Sequence, residues 1–160
     1  MADRPSIDLT RLSTASKILL GAGLLYFIDL FLSWNRKCFE NVGCGTLSGW
    51  HGGLGVICGI LVIAILAMEL ITLANIQVNM GTPAMRNMIE AGVTAALLLF
   101  TILRVFVKPS VLGISIGVWI WGWIGLILAV VIAYGGYLRW QESRMMPTAP
   151  PPPPPGGFTA

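Results

Sequence analysis

The chain has 160 residues, 56% hydrophobic and 11% charged, with a formal net charge of +3. Soluble domains carry about a quarter charged residues, and a chain this short buries too little in one core to hide so much apolar surface. A water-facing surface all round is excluded, and the chain reads as an integral membrane protein. Seven acidic residues, one histidine and three cysteines leave little material for hydrolytic dyads or metal cages. Ten dispersed Lys/Arg do not make a nucleic-acid footprint, and the composition points to no cofactor.

In chain order, residues 1–13 form a cytoplasmic N-terminal segment. Four apolar stretches follow, Thr14–Trp34, Trp50–Ala74, Met85–Val107 and Val111–Leu138. Each is long enough to cross a hydrocarbon core of about 30 Å at 1.5 Å per residue. A signal peptide is the alternative for the first stretch, but no A-x-A-like site follows it, so it is read as a helix. Thr82-Pro83 reads as a cap and first turn for the third helix. Lys108-Pro109-Ser110 makes a tight turn that sets the third and fourth helices antiparallel. From 139 to 160 the chain reads as a disordered cytoplasmic tail, its six prolines 150–155 spanning roughly 19 Å as polyproline II. The predicted fold is an all-α membrane protein, a four-transmembrane-helix bundle over 14–138.

With the N-terminus inside, Arg4, Arg11, Lys17, Arg86, Arg139 and Arg144 lie on the cytoplasmic side, against Arg36, Lys37, Arg104 and Lys108 outside. That bias favours N-in/C-in topology in a plasma membrane. It places Cys38 and Cys44 outside, where a disulfide persists. Trp34, Trp50, Trp119, Trp121 and Trp123 then read as outer interfacial aromatics, with Trp140 at the inner face.

Helical spacing gathers polar and small residues onto single faces. Glu90, Thr94, Leu97, Thr101, Arg104 and Lys108 form one stripe on the third helix. His51, Gly55, Cys58, Val62, Ile65 and Glu69 form another on the second. Asp29 shares a face with Gly21, Ala22, Leu25 and Tyr26, and the fourth helix carries Ser115, Gly122, Gly125, Ala129 and Gly136. Such faces turn toward neighbouring helices, because a lone charge at mid-membrane costs about 2.5–3.5 kcal/mol even on the lenient insertion scale. Depth matching predicts an Asp29–Arg104 ion pair, and places Glu69 beside Glu90 with Arg86 able to pair with either. These groups either hold the helices together or line a path for a proton, ion or ligand.

Cys38 and Cys44 are read as a structural disulfide tying the outer loop. Two alternatives stand beside it: zinc held with His51 and Glu40 nearby, and thiol–disulfide exchange. The metal reading lacks finger spacing, and the exchange reading lacks a C-x-x-C pair and a relay pair.

The run Ile18–Trp34, followed by Cys38, Cys44 and Trp50-His51-Gly52, resembles small four-helix membrane proteins of actinobacteria. The resemblance covers the first half of the chain, the proline-rich tail fits it, and it implies topology and no particular activity. The Trp–Cys–Cys loop is also similar to that of claudin-type proteins, except that Trp50 follows both cysteines where there the second tryptophan precedes them. The function expected is that of a non-enzymatic membrane protein packing in the bilayer with other membrane proteins or with copies of itself. A small carrier or channel subunit lined by Asp29, Glu69, Glu90 and Arg104 is the second reading, and an outer-face thiol oxidoreductase the third.

Overall fold

The structure, a computed structural model, describes residues 12–39, 43–74, 83–107, 110–111, 114–115 and 117–145. The N-terminal residues 1–11, Thr82, the Lys108-Pro109 turn and the proline-rich tail lie outside the described residues. Four helices carry the chain: α1 (Thr14–Asp29), α2 (Gly53–Leu73), α3 (Pro83–Phe106) and α4 (Ile120–Met145). Ser13 opens α1 by accepting the Ser16 backbone N–H at 3.3 Å, the side-chain cap that short hydroxyls provide. Gly52 precedes α2 at φ +81°, a left-handed conformation that costs glycine little.

α2, residues 84–106 of α3, and α4 are long and apolar enough to cross a membrane. Within each, 33% of the most apolar window is buried inside the protein, so most of the surface faces outward. Leu25, Ile60, Leu99 and Ile127 are more than half exposed on it. α1 has 16 residues, which at 1.5 Å each is about 24 Å. It is therefore shorter than the predicted first span. After Asp29 the backbone closes two tight turns, Phe31 N–H to Ile28 O and Leu32 N–H to Asp29 O, and then extends as a strand.

The helices pack in a ring, α1 against α2, α2 against α3, α3 against α4 and α4 back against α1. At one end the chain adds a small antiparallel sheet, which corrects the all-α expectation. β1 (Ser33–Phe39) pairs with β2 (Gly43–Ser48) on one side and with β5 (Gly117–Val118) on the other. A second ladder joins β3 (Ser110–Val111) to β4 (Ile114–Ser115). Val111, Ile114 and Val118 of these strands are β-branched, which suits a pleated surface. α4 consequently begins nine residues later than predicted. It also runs on to Met145, which makes 139–145 helix where a tail was expected. Cys38 stands directly opposite Cys44 in the β1–β2 ladder, at disulfide distance with Cα atoms 3.9 Å apart.

The β1–β2 register shifts between Ser33 and Asn35. Such an irregularity re-aims a side chain, and here it coincides with the turning of Trp34 into the core. Trp34 is 2% exposed and meets Tyr26 edge-on. It is not the interfacial aromatic that its position suggested.

Candidate functional site

Each helix carries its buried groups in the same vertical order, so the interior is layered. At the sheet end lie Tyr26 and Asp29 of α1, Gly55 and Cys58 of α2, Thr101 and Arg104 of α3, and Gly122 and Gly125 of α4. The middle layer is apolar, built from Leu19 and Ala22, Val62 and Ile65, Leu97, Ala129 and Ile132. At the far end Ser16, Glu69, Glu90 and Arg139 converge, one from each helix.

The sheet-end cluster is organised by Arg104. Its guanidinium donates through Nη1 to the His51 carbonyl at 2.6 Å and through Nη2 to the Ser48 carbonyl at 3.1 Å. A planar fork suits two separate acceptors, and it fastens the end of α3 to the β2–α2 turn. Arg104 also lies over the Trp34 ring, 5.3 Å from its centroid. The predicted Asp29–Arg104 pair does not form. Asp29 Oδ2 and the Trp34 ring edge both crowd the notch left by Gly125, and the guanidinium lies over that same ring without reaching the carboxylate. Trp34 Nε1 donates to the Asp29 carbonyl at 3.0 Å, while both carboxylate oxygens stay buried without a hydrogen-bond partner. One turn deeper, Thr101 donates to Leu97 O at 2.8 Å, which leaves Tyr26 as the donor in its 2.7 Å contact with Thr101. Cys58 is buried 3.9 Å from the same hydroxyl.

The far-end cluster is organised by Arg139. Its Nη2 donates to Glu69 Oε1 at 2.7 Å and to Ser16 Oγ at 2.6 Å. Its Nε lies 3.5 Å from Glu90 Oε2, and its Nη1 3.5 Å from Glu142 Oε2. Arg86, expected beside a glutamate, instead donates to the Met68 carbonyl at 2.9 Å. Glu69 and Glu90 do share a level, on the same arginine. Close approach here depends on Gly136, where any Cβ would run into Thr94.

Sequence reasoning missed Arg139, Ser16 and Trp34. A signal for Arg139 was present, since Gly122, Gly125, Ala129, Ile132, Gly136 and Arg139 recur every three or four residues. Extending that stripe by one step past the presumed membrane edge finds it. Among the described residues no group of three or more His, Cys, Asp or Glu could hold a metal ion. Compared with family models, curated proteins and solved structures, the chain matches none.

Proposed function

We propose that the chain is a non-enzymatic, four-span protein of the plasma membrane, N-in and C-in. In this reading it packs laterally with membrane partners and holds a disulfide-tied sheet at the outer face. α1 completes the fourth crossing with the apolar turn Leu30-Phe31-Leu32. The observation that carries the reading is the fate of the polar groups. Arg104 and Arg139 are engaged within the chain, and an apolar layer from all four helices separates their two clusters. That arrangement suits a scaffold, whose polar groups tie helices to one another, and it leaves no continuous polar path between the clusters.

An outward-facing groove between α3 and α4 suits a lateral contact. Its volume is about 360 Å³, lined by Ala91, Gly92 and Ala95 of α3 and by Ala133, Tyr137 and Trp140 of α4, among others. Small residues let backbones approach closely in lipid, where no hydrophobic drive exists between helices. Native mass spectrometry from mild detergent should find a dimer or a stoichiometric membrane partner. Gly92→Leu should abolish that association without lowering the melting temperature, since a Cβ at Gly92 meets nothing within 4 Å. A clean monomer from mild detergent would sink the reading.

The carrier reading keeps one supporting observation: buried carboxylate oxygens of Asp29, Glu69 and Glu90 lack donors. Ion or proton flux in proteoliposomes that is unaltered by Glu69→Gln and Glu90→Gln would remove it.

A further inference from the structure

Glu69 and Glu90 are 0% and 1% exposed, and each has one carboxylate oxygen engaged by Arg139 and one engaged by nothing. The two orphans are Glu69 Oε2 and Glu90 Oε1. Glu90 Oε1 accepts no hydrogen bond, and Oε2 meets Arg139 only as a 3.5 Å ion pair in which Nε has no hydrogen-bond partner. The two carboxylates nevertheless crowd around one guanidinium, Glu69 Oε1 at 2.7 Å and Glu90 Oε2 at 3.5 Å from it. Two acceptor-only groups so placed repel, and burying an unpartnered ion is among the costliest events in a protein interior.

The surroundings do not supply the missing charge. α1 contributes the neutral Ser16 hydroxyl and α2 contributes Glu69. α3 adds Glu90 and, one turn earlier, Arg86, whose guanidinium is turned to the Met68 carbonyl. α4 adds Arg139 and Glu142. Three carboxylates meet two guanidiniums, leaving one negative charge in excess.

We propose that Glu69 and Glu90 form a binding site for a single proton, shared between Glu69 Oε2 and Glu90 Oε1. That proton turns the two orphaned acceptors into one hydrogen bond and cancels the excess charge. Its route to water passes Arg139 and Glu142, whose side chains are 11% and 38% exposed. The site is independent of whether the chain serves as scaffold or carrier.

Infrared spectroscopy of the full chain in lipid vesicles reads this directly through the carbonyl stretch of a protonated carboxylic acid. The wild type should show that band at neutral pH, and Asp29→Asn should leave it in place. Glu90→Gln should abolish it, because Glu69 alone is matched one-to-one by Arg139. Glu69→Gln should abolish it for the reciprocal reason, leaving Glu90 matched by Arg139. Should Glu69→Gln fail to fold, Glu90→Gln carries the test, because Glu90 Oε1 accepts no hydrogen bond and Oε2 only approaches Arg139 at 3.5 Å. The proposal is overturned if the wild type lacks the band, if the band survives Glu90→Gln, or if only Asp29→Asn removes it. It is equally overturned if the band is absent and thermal stability instead depends on sodium over a bulky organic cation, which would make the ligand a metal ion.

Discussion

Asp29 is the residue whose surroundings differ most from its sequence context. Its carboxylate sits at the C-terminal end of α1, where the helix dipole is unfavourable to a negative charge, and no donor reaches either oxygen. The guanidinium at the same depth is Arg104, but it bonds carbonyls and stacks on Trp34. Had the two formed an ion pair, Asp29→Asn would remove it and strand a buried arginine, at a cost of about 3–5 kcal/mol. Without that pair, the substitution removes only an unpartnered acid. The backbone carbonyl that accepts from Trp34 is untouched. Asp29→Asn should therefore leave the melting temperature in detergent unchanged or raise it. A drop equivalent to more than about 2 kcal/mol would restore the ion pair.

At the scale of elements, the sheet-end hairpin is held in three ways: the β1–β2 ladder with its disulfide, the β1–β5 ladder, and Trp34 buried below it. Closing so short a loop is worth about 2–2.5 kcal/mol in the chain-entropy model, and only the first of these holds depends on it. Cys44→Ser should accelerate hydrogen exchange at the amides of Gly43–Ser48 while α3 amides keep their protection. Loss of protection at Thr101 as well would show that the disulfide supports the helices and not only the hairpin. The faces of α2 and α3 were legible because polar residues are few in so apolar a chain. The stripe Glu90, Thr94, Leu97, Thr101 and Arg104 is buried throughout, as are Gly55, Cys58, Val62, Ile65 and Glu69, whereas His51 is exposed, as are Gly21 and Leu25, which were expected to share the inward face of Asp29. A period of three and four residues could mean little else in a chain this apolar. The strands were not legible, for the complementary reason. Leu30–Trp34 and Val111–Trp119 are as apolar as the helices they adjoin, so hydropathy runs through both boundaries without a break. What extends the described strands β1 and β5 is pairing between segments far apart in sequence, Asn35 with Val118 and Arg36 with Gly117. A local pattern carries no record of that. Cys38 and Cys44 stood out at a spacing that a tight hairpin places face to face, whereas the site around Arg139 was hidden by ending α4 at Leu138.

At the scale of the whole molecule, the layering decides whether the two polar ends act together. Ser16 and Tyr26 both lie on α1, ten positions and about 15 Å apart at 1.5 Å per residue. Each makes one side-chain hydrogen bond to another helix. Ser16 accepts from Arg139 of α4, and Tyr26 donates to Thr101 of α3. Between them stand Leu19 and Ala22, packed in the apolar layer. Ser16→Ala should cost about 1.5–3 kcal/mol, as a bond to a charged group, and Tyr26→Phe about 0.5–1.5 kcal/mol. In a rigid scaffold the layer has one packing, and neither loss changes the other. Sites this far apart with no shared partner then add to within about 0.5 kcal/mol. In a carrier that alternates between two arrangements, both bonds would report on the same equilibrium. Removing one would then change what the other is worth. Unfolding of wild type, both single variants and the double variant in one detergent, read as a double-mutant cycle, separates these cases. Additivity is the expected result. A coupling above about 1 kcal/mol would mean that the apolar layer transmits a change of state, and the carrier reading would then displace the scaffold.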